Sequence, residues 1–132
     1  MRSSDKASLE ALHAKFKNAV KEAVEEENKR WSGRGPVSAS PDLVGYRPAG
    51  STSADSAIVI TAMAVSKIFG YNGRLGEGST DSNVPMNMSI PAITIGGGGR
   101  GTNAHALDEA FDTTDSVLGT QRALLLAIAL AR

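Results

Sequence analysis

A mixed α/β fold is what this sequence predicts, and three observations predict it. Stretches at either end repeat apolar residues at helical spacing, two short apolar runs between them read as strands, and the two kinds of element alternate along the chain. The predicted order is helix, strand, linker, helix, strand, glycine loop, helix. With 132 residues, 41% of them hydrophobic, and a mass of 13.7 kDa, the chain suffices for one ordinary domain or two partial ones.

The first helix is predicted over about 5–31. Leu9, Leu12, Phe16, Val20, Ala23 and Val24 share one face, and Ser4 or Asp5 supplies an N-cap acceptor. Glu10, Lys17, Lys21 and Glu25 occupy the other face, and Gly33, Gly35 and Pro36 stop the helix near Trp31. A weak strand is expected over about 37–46, at an edge or a bulge because Pro41 lacks a ladder N–H. The stretch 47–53 reads as a linker, so the expected division is 1–46 and 47–132. A second helix is expected from Ser56 to Phe69, with Val59, Ala62, Met63 and Val65 inward and Gly70 as its C′ residue. Residues 70–101 carry nine of the 14 glycines, and Ile90–Ile95 inside that region reads as a short buried strand. The last helix, about 116–131, is apolar over most of its circumference from Ala123, as expected of a helix buried on several sides.

Composition excludes several functions. Fourteen basic residues balance 14 acidic ones, so no basic face is expected for nucleic acid. The absence of cysteine removes disulfides, thiolate metal sites and thiol catalysis, and 5% aromatic content is too little for a base-stacking platform. The longest apolar run, Ala123–Ala131, is far short of the roughly 20 residues a bilayer span needs. No secretory leader is read at the polar start, and a cytoplasmic protein without a membrane partner is expected.

The run Gly96–Gly99 with Arg100 and Gly101 lets backbone approach a ligand closely and could build an anion-binding nest; a surface loop is the plain alternative. It is neither a Walker loop nor a dinucleotide fingerprint, since no Gly-Lys-Ser/Thr follows and no helix opens on the glycines. His105 is a candidate metal ligand or an exposed loop histidine, Asp108 and Glu109 are cap or solvated residues, and His13 is solvated. Glu25-Glu26-Glu27 is a charged helix face, because adjacent helical side chains diverge. The polar stretch Gly78-Ser79-Thr80-Asp81-Ser82-Asn83 either caps a short helix or lines a site.

Three segments, Gly78-Ser79-Thr80-Asp81-Ser82-Asn83-Val84-Pro85, Ile90-Pro91-Ala92-Ile93-Thr94-Ile95-Gly96 and Asn103-Ala104-His105-Ala106-Leu107-Asp108-Glu109, together resemble successive motifs of one family. It is the co-catalytic di-zinc peptidases and deacylases that includes peptidase T, carboxypeptidase G, acetylornithine deacetylase and succinyl-diaminopimelate desuccinylase. Met1-Arg2-Ser3 resembles the strand entering a helix of that family's inserted lid (dimerisation) domain, and Gly45-Tyr46-Arg47-Pro48-Ala49-Gly50 the return into its catalytic domain.

The resemblance implies that 1–46 is the last part of an α+β lid and 47–132 the C-terminal part of a phosphorylase/hydrolase-like zinc-peptidase domain. It implies a function in cleaving amide bonds of small peptides or N-acyl amino acids. His105 matches the final zinc ligand, Thr80, Asp81 and Asn83 lie by the substrate pocket, and Gly97, Gly98, Gly101 and Asn103 approach the substrate's carboxylate. The family's other ligands and its general-base glutamate have no counterpart here: no His-x-Asp occurs, and no Glu-Glu lies in a loop. A zinc hydrolase works because the metal lowers the pKa of its water to about 7 while a positioned base takes the proton. With one matching ligand and no matching base, this chain alone is expected to be inactive, with zinc belonging to the complete enzyme. The alternative is a non-catalytic remnant that self-associates or binds a partner. Faces left uncovered by missing strands would favour a homo-oligomer or a complementing chain.

Overall fold

The computed structural model describes residues 1–131 and shows four helices and one two-stranded sheet among them. The chain divides into two compact units, the first made of Met1–Ser51 and Ser79–Ile90, the second of Thr52–Gly78 and the chain from Pro91 onward. The chain passes from the first unit to the second after Ser51, and the polar segment after Gly78 returns to the first unit.

In the first unit, α1 spans Lys6–Arg30. Asp5 is its N-cap: the carboxylate accepts from the Ser8 backbone N–H at 2.6 Å, filling one of the donors a helix start leaves unpaired. Hydrogen bonds from the Ser8 side chain and backbone hold the Asp5 carboxyl below the usual carboxylate range. Lys29 and Arg30 in the last turn suit the negative end of the helix dipole. Beyond it, Asn28 pairs through both amide atoms with the backbone of Val37, at 2.8 and 3.0 Å. The apolar stripe of α1 packs only in part: Leu9, Val20 and Val24 are half-buried, while Leu12 and Phe16 are exposed.

The strand expected over 37–46 does not form. The segment is extended but joins no sheet, and Leu43, Val44 and Tyr46 are 74%, 99% and 68% exposed. A strand exists only with a partner, and past the single Asn28 pairing this segment meets none among the described residues. Order returns at Pro48 and Ala49, both buried, where the chain meets α3, Asn83–Asn87. Gly50 lies so close to this helix that a Cβ there would sit 2.7 Å from the Asn87 nitrogen and from the Met86 Cβ. α3 closes with Ser89 in the left-handed region, φ 61°. Its N–H reaches the Met86 carbonyl and that of Ile90 the Pro85 carbonyl, which is a Schellman ending with serine in glycine's usual place.

In the second unit, α2 spans Ala57–Ile68 and α4 spans Ser116–Leu130, and the two helices pack together. Gly70 takes φ 76° as expected: its N–H reaches the Lys67 carbonyl while that of Tyr71 reaches Ser66. Val59 and Val65 are buried and Ala62 half-buried, but Met63 turns outward to lie against Gly73. Ile90–Ile95, expected as a buried strand, is extended without joining a sheet. The Thr52 hydroxyl fixes it instead, donating to the Ala92 carbonyl at 2.6 Å and accepting from the Ala92 N–H at 3.0 Å. The sheet lies further on, where β1 (Arg100–Thr102) pairs antiparallel with β2 (Ala110–Asp112), Gly101 opposite Phe111.

α4 also departs from expectation. Only Gly119 and Leu126 are buried, and Val117, Leu124 and Ile128 lie in the open. Among the described residues the buried apolar set is Ala49, Val59, Val65 and Leu126. The accessible surface is 10376 Å². A compact monomer of this mass would expose roughly 6,600 Å², and two separate compact bodies of half the mass roughly 8,000 Å². This protein therefore carries far more uncovered surface than its size requires.

Two measurements check these assignments. Gly50→Ala is expected to destabilise the first unit by about 1–3 kcal/mol in urea unfolding, because the new methyl meets backbone that cannot yield; an unchanged midpoint would contradict the packing. The folded Asp5 pKa lies below its unfolded value, so the cap's contribution is complete above the unfolded pKa and is lost as pH falls through the folded one. Asp5→Ala should accordingly reduce far-UV ellipticity at neutral pH, with the gap to the parent closing in acid.

Candidate functional site

The candidate residues fall into two groups, one in each unit. In the first unit, Thr80, Asp81 and Asn83 form the turn that starts α3. The Asn83 side chain accepts from the Thr80 N–H at 2.9 Å and donates to the Pro48 carbonyl at 3.1 Å. Asn87 donates to the next carbonyl, Ala49, at 2.9 Å. Two asparagines one helical turn apart thus clamp the chain at residues 48–49. The short helix expected of this stretch forms, with Ser82 as its N-cap and no side-chain capping bond; Asn83, its first residue, ties the turn before it through the Thr80 N–H.

Asp81 points into solvent with its side chain fully exposed and meets Arg47 at 3.2 Å. The same guanidinium donates to the Ser79 carbonyl at 2.8 Å. Water screens such a pair, so Arg47 orients the turn more than it stabilises the fold. Arg47 was not singled out from sequence, although it lies in the Gly45–Gly50 motif; its partner is 34 positions further along.

In the second unit the glycine run has a structural cause. Gly98 and Gly99 take φ 86° and 69°. A Cβ on Gly98 would press on the Ser116 backbone at 2.9 Å, and one on Gly99 on the Asp112 carbonyl and the Phe111 ring at 2.6 Å. Gly119 faces the Gly97 carbonyl so closely that no Cβ fits between them. Gly97 and Gly101 differ: a Cβ on either would meet nothing within 4 Å, and neither has positive φ. Packing dictates glycine at 98, 99 and 119, and leaves it unexplained at 97 and 101.

Arg122 anchors the start of the run by donating to the Gly96 carbonyl, with its guanidinium 4.9 Å from the centre of the Tyr71 ring. Its Nε is buried and has no hydrogen-bond partner among the described residues. The sequence held a signal for this residue, since Arg122 is the one charged side chain in α4.

The loop between β1 and β2 carries Asn103 and His105, and every residue from 101 to 110 is exposed. Both take left-handed backbone, φ 52° and 67°, a region that asparagine and histidine enter more readily than most non-glycine residues. The loop braces itself: the Asn103 amide donates to Asp108 at 2.7 Å, and the His105 backbone N–H to Glu109 at 3.3 Å. Asp108 and Glu109 thus tie a hairpin loop and cap no helix. Asp112, at the end of β2, accepts from the Thr114 N–H at 2.9 Å. The Thr114 backbone bond, then its side chain, hold this carboxyl below the usual range.

This donor set offers one imidazole. Zinc takes four protein ligands in structural sites and usually three in catalytic ones, and no three of His, Cys, Asp and Glu converge as a metal-binding group among the described residues. The residues present therefore do not make a zinc site by themselves. No helix among the described residues is long and apolar enough to cross a membrane.

Comparison with known proteins adds no relative: no family model matches the chain, and no curated protein matches it. The family reading rests on the motifs within residues 78–109 themselves.

Asn83→Ala removes two part-buried hydrogen bonds and is expected to cost about 1–2 kcal/mol in urea unfolding, with Asp81→Ala leaving the midpoint unmoved. The reverse order would assign the clamp to the wrong side chain.

Proposed function

We propose that this chain is the C-terminal part of a zinc-dependent metallopeptidase or amidohydrolase that cleaves amide bonds of small peptides or N-acyl amino acids, inactive until the rest of the catalytic domain is supplied. The observation that carries this reading is the loop Asn103–Glu109. It presents a solvent-facing histidine on left-handed backbone, braced by the carboxylates that follow it, one strand beyond a glycine run. In the proposed enzyme His105 is one zinc ligand, and the remaining ligands and the general base come from outside these residues. The backbone at Gly97, Gly98 and Gly101, with the Asn103 amide, approaches the substrate's carboxylate. Thr80 and Asp81 lie by the pocket, and Asn83 holds their turn in shape.

Two further features support the reading. Gly97 and Gly101 lack any packing demand for glycine, as expected of positions kept bare for a ligand. The uncovered surface fits a domain whose other walls lie elsewhere. The expected cytoplasmic setting, with no nucleic-acid or membrane partner, belongs to the same proposal. The competing reading, a non-catalytic remnant that self-associates or binds a partner, draws on the same uncovered faces.

Complementation separates the two. The purified chain with zinc is expected to leave N-acyl amino acids and di- or tripeptides intact. Joined to the zinc-bearing catalytic half of a family hydrolase, it should yield activity that His105→Ala lowers by about 10²-fold or more. Turnover by the chain alone, or complemented activity indifferent to His105, would overturn the proposal.

A further inference from the structure

Asn72 and Gly73 follow the end of α2, in irregular backbone that belongs to no element. Both are exposed, and neither is hydrogen-bonded to any described residue. The other five asparagines of the chain stand differently. Asn18 and Asn28 lie inside α1, and Asn83 and Asn87 inside α3. There the N–H of the following residue is engaged: that of Val84 reaches the Asp81 carbonyl at 3.1 Å, and that of Met88 the Val84 carbonyl at 3.2 Å. The side-chain amides of Asn28, Asn83, Asn87 and Asn103 are bonded as well. Asn72 is also the one asparagine followed by glycine.

Asparagine is thermolabile because the nitrogen of the next residue can attack its side-chain carbonyl carbon and close a five-membered ring. A side chain on that next residue crowds the attack, and a bonded N–H or a helical backbone holds the two groups apart. Glycine lifts the first restraint by having no Cβ, and the unbonded loop lifts the second.

We propose that Asn72–Gly73 is a modification site, at which the chain deamidates spontaneously to aspartyl and isoaspartyl forms. Solvent base takes the Gly73 N–H proton, and the nitrogen bonds to the Asn72 Cγ. The Cγ–Nδ2 bond breaks, and the departing nitrogen takes up a proton and leaves as ammonia. One water then opens the cyclic imide. Opening at Cγ gives aspartate, and opening at the main-chain carbonyl gives isoaspartate, with the chain now running through the former side chain. Nothing is oxidised or reduced, and water is the sole co-reactant. The isoaspartyl form is the substrate class of a repair methyltransferase that esterifies such carboxylates.

The site adjoins two contacts of the second unit. Tyr71 holds its N–H on the Ser66 carbonyl at 2.9 Å and its ring beside Arg122, and Gly73 lies against Met63. An isoaspartyl link adds a main-chain carbon between these contacts and leaves a new carboxylate there.

Incubation of the whole chain in mildly alkaline buffer, then trypsin and mass spectrometry against an unincubated sample, tests this. The readout is a mass, so its outcome is independent of the hydrolase proposal. Cleavage after Lys67 and Arg74 isolates Ile68–Arg74, in which Asn72 is the sole asparagine. That peptide is expected to gain the mass of an amide-to-carboxyl exchange and to split into two chromatographic forms. One form should accept a methyl group from S-adenosylmethionine through an isoaspartyl methyltransferase, while peptides bearing the other asparagines stay unchanged. The folded chain should react at close to the rate of a synthetic Ile68–Arg74 peptide. Asn72→Gln, an exposed change whose longer side chain would need a six-membered ring, should abolish the reaction. An Asn72 that keeps its amide in the folded chain while the free peptide reacts, or another asparagine that reacts as fast, would overturn the proposal.

Discussion

The second unit is organised around a place where two stretches of backbone touch with no side chain between them. The carbonyl of Gly97 lies against Gly119, and Gly98 against the first turn of α4. This contact joins the glycine run to the helix and sends the chain onward into β1. Arg122, one turn further along α4 than Gly119, holds the same stretch through the Gly96 carbonyl. The hairpin, and with it the His105 loop, leaves this junction in a direction fixed by Gly98 and Gly99, whose positive φ angles a larger residue would resist. A glycine run that resembles a ligand cradle in sequence is thus first a packing device, and Gly97 and Gly101 are the positions whose glycine no packing contact demands.

Elements whose signals are local were legible in the sequence. Asp5 ahead of an apolar stripe located the start of α1, and Gly70 after Phe69 located the end of α2, because capping is decided within a few residues. Strands were not legible, because a ladder depends on what arrives from elsewhere. The segments 37–46 and 90–95 have strand-like composition but join no sheet, while Arg100–Thr102, with a glycine at its centre, pairs with Ala110–Asp112. The outward face of α4 was misread for a related reason. An all-apolar helix signals burial, but burial needs a covering layer, and among the described residues only α2 packs on it as a regular element.

The candidate site was legible as residue types and only partly as roles. His105 and Asn103 stand on left-handed backbone in an exposed loop, which their spacing in the sequence could not reveal. Asn83 is committed to its own turn through Thr80 and Pro48, a role that depends on a neighbour 35 positions earlier in the chain. Arg47 and Arg122 each donate to a carbonyl oxygen, of Ser79 and Gly96 respectively, and carbonyls leave no mark in a sequence.

The most direct test of the central claim is an alanine scan through the glycine junction, read by urea unfolding. Where a Cβ meets backbone, at Gly98, Gly99 and Gly119, the account predicts losses of about 1–3 kcal/mol; at Gly97 and Gly101 it predicts changes within about 0.5 kcal/mol. Equal losses at all five positions, or a tolerant Gly119, would contradict it.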